Sequence, residues 1–204
     1  MNTTVASLPA PSVPGPSTRS LGTLGLLAAP ALALEGPLQR LAATADGRDV
    51  VMGLCSLAYV AGWAASVVGL RRLRATGDGR GARAVFGLQL AGLALAAVWA
   101  AWYVVAPGAE RSGLLRVADA AWPLSHVFML VVFGMIVRAG RLRGWQRYPA
   151  LACGLALPAV VVLRGLGAPA VAGMAFPLLT TLGFALLGVA VRTADRTARL
   201  PARG

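Results

Sequence analysis

Apolar residues along this chain neither alternate with polar ones nor recur at every third or fourth position. They fill long uncharged blocks at 20–34, 50–70, 84–109, 120–137, 148–163 and 165–191, of 15, 21, 26, 18, 16 and 27 residues. Blocks with no polar face are what lipid, rather than water, selects. About 20 residues of helix cross a hydrocarbon core of roughly 30 Å, and four blocks reach or approach that length. The block at 148–163 is short, but Arg147 and Arg164 at its ends can snorkel to the interfaces. Membrane strands would show segments of about 10 residues alternating apolar and polar, and none is present. Segments such as LQLAGLALAAVWAAW are rich in Ala and Leu, which favour helix.

The expected fold is therefore all-α: a polytopic transmembrane bundle of six helices near 20–38, 50–70, 85–106, 120–138, 147–165 and 169–191. This membrane domain spans 20–192. Residues 1–19, MNTTVASLPAPSVPGPSTR, are rich in Pro and Ser and are expected to be a disordered tail. Residues 193–204 form a basic cytoplasmic tail. The first block, LGTLGLLAAPALAL, has two competing readings. It is either a short first helix kinked by Pro30, or the apolar part of a signal peptide cleaved near Ala31-Leu32-Ala33. The leader before Arg19 is long and scarcely positive, which favours the retained helix.

Composition agrees with a lipid environment. Charged residues make up 13% of the chain and apolar ones 57%, against about 25% charged in a typical soluble domain. All 19 basic residues are arginine, a usage that points to a GC-rich bacterial genome.

The arginines sort by loop. Arg19, five arginines in 71–83, four in 138–147 and four in the C-terminal segment bring 14 to one side, with Asp78 and Asp195 as the acids there. On the other side Arg40, Arg48, Arg111, Arg116 and Arg164 are balanced by Glu35, Asp46, Asp49, Glu110 and Asp119. The whole net charge of +12 thus falls on alternate loops, as when short basic loops stay cytoplasmic during insertion. Both termini are expected in the cytoplasm of a cell whose plasma or inner membrane holds the protein. A pI near 11.7 would point to nucleic acid in a soluble chain. Here the loops are short and lack a base-reading platform, so no nucleic-acid partner is expected and the arginines serve topology and anionic lipid headgroups. Trp99, Trp102, Tyr103, Trp122, Trp145 and Tyr148 fall near block ends, where aromatic rings favour the headgroup level. Trp63, in mid-block, should pack against a neighbouring helix.

Small residues at four-residue spacing (Ala58, Gly62 and Ser66; Ala61, Ala65 and Gly69; Gly92, Ala96 and Ala100) mark faces for close helix approach, within the bundle or across a homodimer. Pro158 and Pro177 fall inside the last two helices, where each removes a backbone hydrogen bond.

Candidate chemistry is sparse. One His and two Cys are present, with no spacing that would hold zinc or haem, and no nucleophile elbow or phosphate loop. No cofactor is expected. Cys55 and Cys153 should differ in depth by about 15 Å and stay unpaired. The suggestive constellation is DAAWPLSH, 119–126, where Asp119 and His126 share a helical face about 10 Å apart. Ionisable groups inside a membrane helix raise a functional hypothesis; the plainer reading is a neutral His126 bonded to a neighbour. Ser125, Gln89, Thr180 and Thr181 complete a candidate polar cavity.

Three function classes remain. The first is an accessory or structural membrane component that acts through lipids or a protein partner. The second is a small transporter, channel or proton-responsive sensor built on His126 and the nearby polar groups. The third is an intramembrane enzyme, the weakest given the few ionisable groups. If the polar side chains converge on one wet cleft, the second gains; if they make separate contacts, the first does.

Overall fold

A computed structural model describes residues 15–110 and 113–197. Among them there is helix and no strand. The helices are α1 (Thr18–Ala28), α2 (Ala31–Leu41), α3 (Ala45–Arg72), α4 (Arg80–Val105), α5 (Gly113–Ala139), α6 (Pro149–Gly165) and α7 (Pro169–Thr197), with a short 3-10 turn, Gly144–Arg147, before α6. Most of the stretch expected to be a tail, 1–14, lies outside the described residues, as does 198–204.

Most helices run past their uncharged block at one end or both. A helix makes its backbone bonds whatever its side chains, so charge marks the edge of the lipid and not the end of the helix. α3 shows this at both ends. Thr44 Oγ1 caps it by accepting from the Gly47 amide at 3.0 Å, Asp46 sits in its first turn, and Arg71 and Arg72 in its last. Each charge opposes the helix dipole at its terminus. Past Arg72 the chain reverses through a Schellman turn: the Ala75 amide donates to Leu70 O and the Arg74 amide to Arg71 O, both at 3.0 Å. Arg74 occupies the left-handed position, φ 51°, usually taken by Gly.

Helix neighbours follow chain order, and the ring closes: α1 packs on α3 and α7, α3 on α4, α4 on α5, α5 on α6, and α6 on α7. The closing seam joins α1 to α7 with their backbones nearly touching. A Cβ on Gly22 would stand 2.5 Å from Gly188 O and the Arg192 nitrogen; one on Gly188 would stand 2.5 Å from the Leu26 nitrogen. Only glycine permits that approach. One stripe of small residues on α3 is used in the same way, Gly62 and Ser66 meeting Ala28 and Gly25 of α1. In the companion stripe Gly69 lies against Val191, whereas Ala61 is exposed.

Tyr59, Trp63, Phe86, Leu93, Met129, Ile136 and Leu187 fill the centre at 2% exposure or less. The outside is apolar too, with Leu27, Leu88, Leu124, Val161 and Leu182 each more than half exposed. Large apolar surface of this extent is not sustained in water. Five spans are long and apolar enough to cross a membrane: 18–41 taken across its bend, α3, α4, most of α5 and most of α7. α6 has 17 residues and falls short of that length. The chain is a multi-pass membrane helix bundle.

The first span bends at Pro30, with Ala29 and Pro30 both in the right-handed helical region. Pro30 ends the regular backbone bonding of α1 and opens α2. At the bend Thr181 Oγ1 of α7 donates to Ala29 O at 3.3 Å.

The arginine-bearing loops gather at one end of the bundle. Arg72 donates to Pro16 O, Arg141 and Arg74 both pair with Asp78, and Gln146 donates to Thr193 at 3.2 Å. At the opposite end Asp49 accepts from the Gly108 amide at 3.1 Å, tying the start of α3 to the turn after α4. The exposed ion pairs at Asp78 contribute little stability individually; they orient the loops.

Candidate functional site

His126 stands at the centre of the ring, on α5, with no measurable exposure. Its Nδ1 lies 3.1 Å from Trp122 O, one turn back, and its Nε2 lies 3.1 Å from the Tyr59 hydroxyl on α3. The carbonyl can only accept, so Nδ1–H donates to it. Nε2 of the neutral ring then accepts the Tyr59 hydroxyl proton, an assignment made from the network.

Five aromatic rings surround the imidazole. Trp122 and Trp63 are nearest, with ring centres at 4.5 and 4.6 Å. Phe184, Phe176 and Tyr59 follow at 5.7, 5.9 and 6.1 Å. Contributed by α3, α5 and α7, this cluster joins three helices across the bundle. Both ring nitrogens are occupied, so the imidazole acts as a pivot with no nitrogen left for a ligand.

The other polar candidates are held separately. Gln89 Nε2 on α4 donates to Ser125 O at 3.4 Å, and Ser125 Oγ donates to Ala121 O at 2.7 Å. Gln89 and Ser125 line a cavity of about 230 Å³ between α4 and α5, in which Gln89 Oε1 has no partner among the described residues. Thr180, fully buried, donates back to Phe176 O at 2.8 Å. Thr181 is engaged at the Ala29 bend.

Asp119 is exposed, two turns from His126, whose near neighbour on that side of the sequence is the Trp122 ring. Asp119 lines a second cavity, of about 380 Å³, at the charge-balanced end of the bundle. Trp122 and Phe176 line it, and both rings also neighbour His126. Glu35 of α2, Ser56 of α3 and Trp99 of α4 complete its polar and aromatic wall. The structure thus brings Gln89 to Ser125, and sets Asp119, His126, Thr180 and Thr181 apart from that pair.

Tyr59, Glu35, Trp99 and Phe176 are site residues that the sequence reading missed. A signal existed for two of them. Tyr59 is a hydroxyl in the middle of the uncharged block 50–70, and Glu35 is the one acid in ALALEGPLQRL. Sorting charges by loop counts Glu35 among the balanced far-side charges, although the expected helix, 20–38, contains it; the helix continues to Leu41.

Cys55 and Cys153 are both buried and unpaired. Among the described residues no three His, Cys, Asp or Glu side chains come together as a metal would require. No known protein family, curated protein or solved structure matches this chain.

Proposed function

We propose that this protein is an accessory or structural component of the cell membrane, a bundle that works through lipid and protein contacts rather than by catalysis or conduction. The observation that carries the reading is the separation of its polar side chains. His126, Gln89 and Thr181 each bond across to a neighbouring helix, while Ser125 and Thr180 bond back to their own. A proton or ion path needs such groups along one wet line.

In the same reading the arginine end and both termini lie in the cytoplasm against anionic headgroups, and the first span is retained. Retention is supported by the α1–α7 seam, which a cleaved leader would leave unfilled. A protein partner or a second copy covers part of the apolar exterior.

Proteoliposomes carrying a trapped pH dye test the central point. Under an imposed pH gradient they should leak protons no faster than empty vesicles, while cross-linking in native membranes should yield a discrete adduct. Proton flux that disappears in His126→Ala would overturn the reading in favour of a channel or transporter. Orientation is tested with an impermeant maleimide on Gly79→Cys and Gly113→Cys, both at positions with open space around the glycine. The thiol introduced at position 79 should label only after permeabilisation, and the one at position 113 in intact spheroplasts. The reverse pattern would invert the topology.

A further inference from the structure

The cavity at the charge-balanced end has walls of unusual composition for a membrane protein. Two carboxylates, Glu35 and Asp119, line a space whose other walls include Trp99, Trp122, Phe176, Met52 and the Ser56 hydroxyl side chain. Among the described residues no basic side chain lines it. Among the described residues neither carboxylate forms an ion pair; Glu35 accepts one hydrogen bond, from Gln39 Nε2 at 3.1 Å. Arg116 shares an adjoining surface hollow with Asp119 but lies beyond ion-pair distance.

We propose that this cavity binds an organic ammonium ion with a small apolar body. Three physical arguments converge. The volume, about 380 Å³, falls in the range of small-molecule sites, roughly 300–1,000 Å³. Aromatic faces attract ammonium groups through their quadrupoles, most strongly when the cation is desolvated. An anion would meet two carboxylates with no compensating charge among the described lining residues, and a neutral apolar guest would bury them unpaired. Only a cation satisfies both the acids and the rings, with its apolar body on Met52 and Phe176.

The location of Glu35 adds to the case. α2 buries none of its residues against the bundle, so Glu35 could have faced the lipid exterior with Leu34 and Leu38. It is instead half-buried at the cavity. The site takes the same chemistry from either of two sources, a free amine or the ammonium headgroup of a lipid. The proposal depends neither on the orientation nor on the partner proposed above.

The test uses the full chain in nanodiscs of an uncharged glycolipid, with benzyltrimethylammonium as probe and the fluorescence of Trp99 and Trp122 as readout. Saturable binding is expected, with benzenesulfonate at least tenfold weaker. The double variant Glu35→Gln/Asp119→Asn should also lose at least tenfold in affinity at an unchanged thermal transition. If that variant fails to fold, Asp119→Asn alone, at an exposed position, should still lose about threefold. Adding phosphatidylcholine to the discs identifies the source: weaker probe binding assigns the site to a lipid headgroup, and unchanged binding to a free cation. Equal affinity for the sulfonate, or parental affinity in a folded carboxamide variant, would overturn the proposal.

Discussion

α1 and α2 follow one another within a single apolar stretch of 24 residues, yet α1 buries Leu21, Gly22 and Gly25 while α2 buries nothing. Their apolar residues are of the same kinds; what differs is backbone clearance. Gly22 and Gly25 of α1 meet Gly188 of α7 and the Gly62–Ser66 face of α3, so the two helix axes approach and side chains interlock behind them. Gly36 of α2 has no atom within 4 Å of where a Cβ would stand. Among helices already in lipid, greasiness gives little reason to associate, since the tails are as apolar as leucine. Shape decides which segment enters the bundle. The segment left at its margin is then available to frame a cavity, as α2 does with Glu35.

Substitutions can break or sharpen this contrast, read as thermal or denaturant unfolding in detergent. The largest effect should come from the core behind the seam. Trp63→Ala, at 2% exposure among His126, Tyr59 and Phe184, should cost about 3–5 kcal/mol. Leu34→Ala, on the outside of α2, should change stability by less than about 0.5 kcal/mol. Comparable losses at both sites would mean that α2 is packed as tightly as the core.

Next comes the seam. Gly22→Ala or Gly188→Ala forces a methyl against backbone atoms and should cost about 1–3 kcal/mol. Smaller still is Tyr59→Phe, which removes the hydroxyl from buried His126 Nε2 and should cost about 1–2 kcal/mol. A neutral outcome there would show that a water replaces the hydroxyl. Small too, and opposite in sign, is Gly36→Ala. Alanine in an open helical position should stabilise by about 0.5–1 kcal/mol. A loss instead would place an unseen contact on α2.

Much of the architecture was legible before any coordinates. Uncharged blocks located the apolar helices, and the two sets of loop charges fell at opposite ends of the bundle, because hydropathy and charge act residue by residue through the solvent each must face. Trp63 stood out as a ring too deep for the headgroup layer. The candidate site was legible only in part. His126 was singled out, but Tyr59, its partner 67 positions away, carried no local mark beyond a hydroxyl in an apolar run. Thr181 stood out as a polar group at depth, and its bond to Ala29 spans 152 positions.

The amino-acid string by itself determined the solvent, the helical class and the uneven distribution of guanidinium groups, since each follows from transfer energies and backbone bonding within a short window. Folding in three dimensions decided everything that depends on pairs distant along the chain: the closure of α1 onto α7, the satisfaction of both His126 nitrogens, and the meeting of Glu35 with Asp119 in one cavity. Those outcomes rest on steric fit between helix surfaces, and a one-dimensional pattern carries no record of which surfaces will meet.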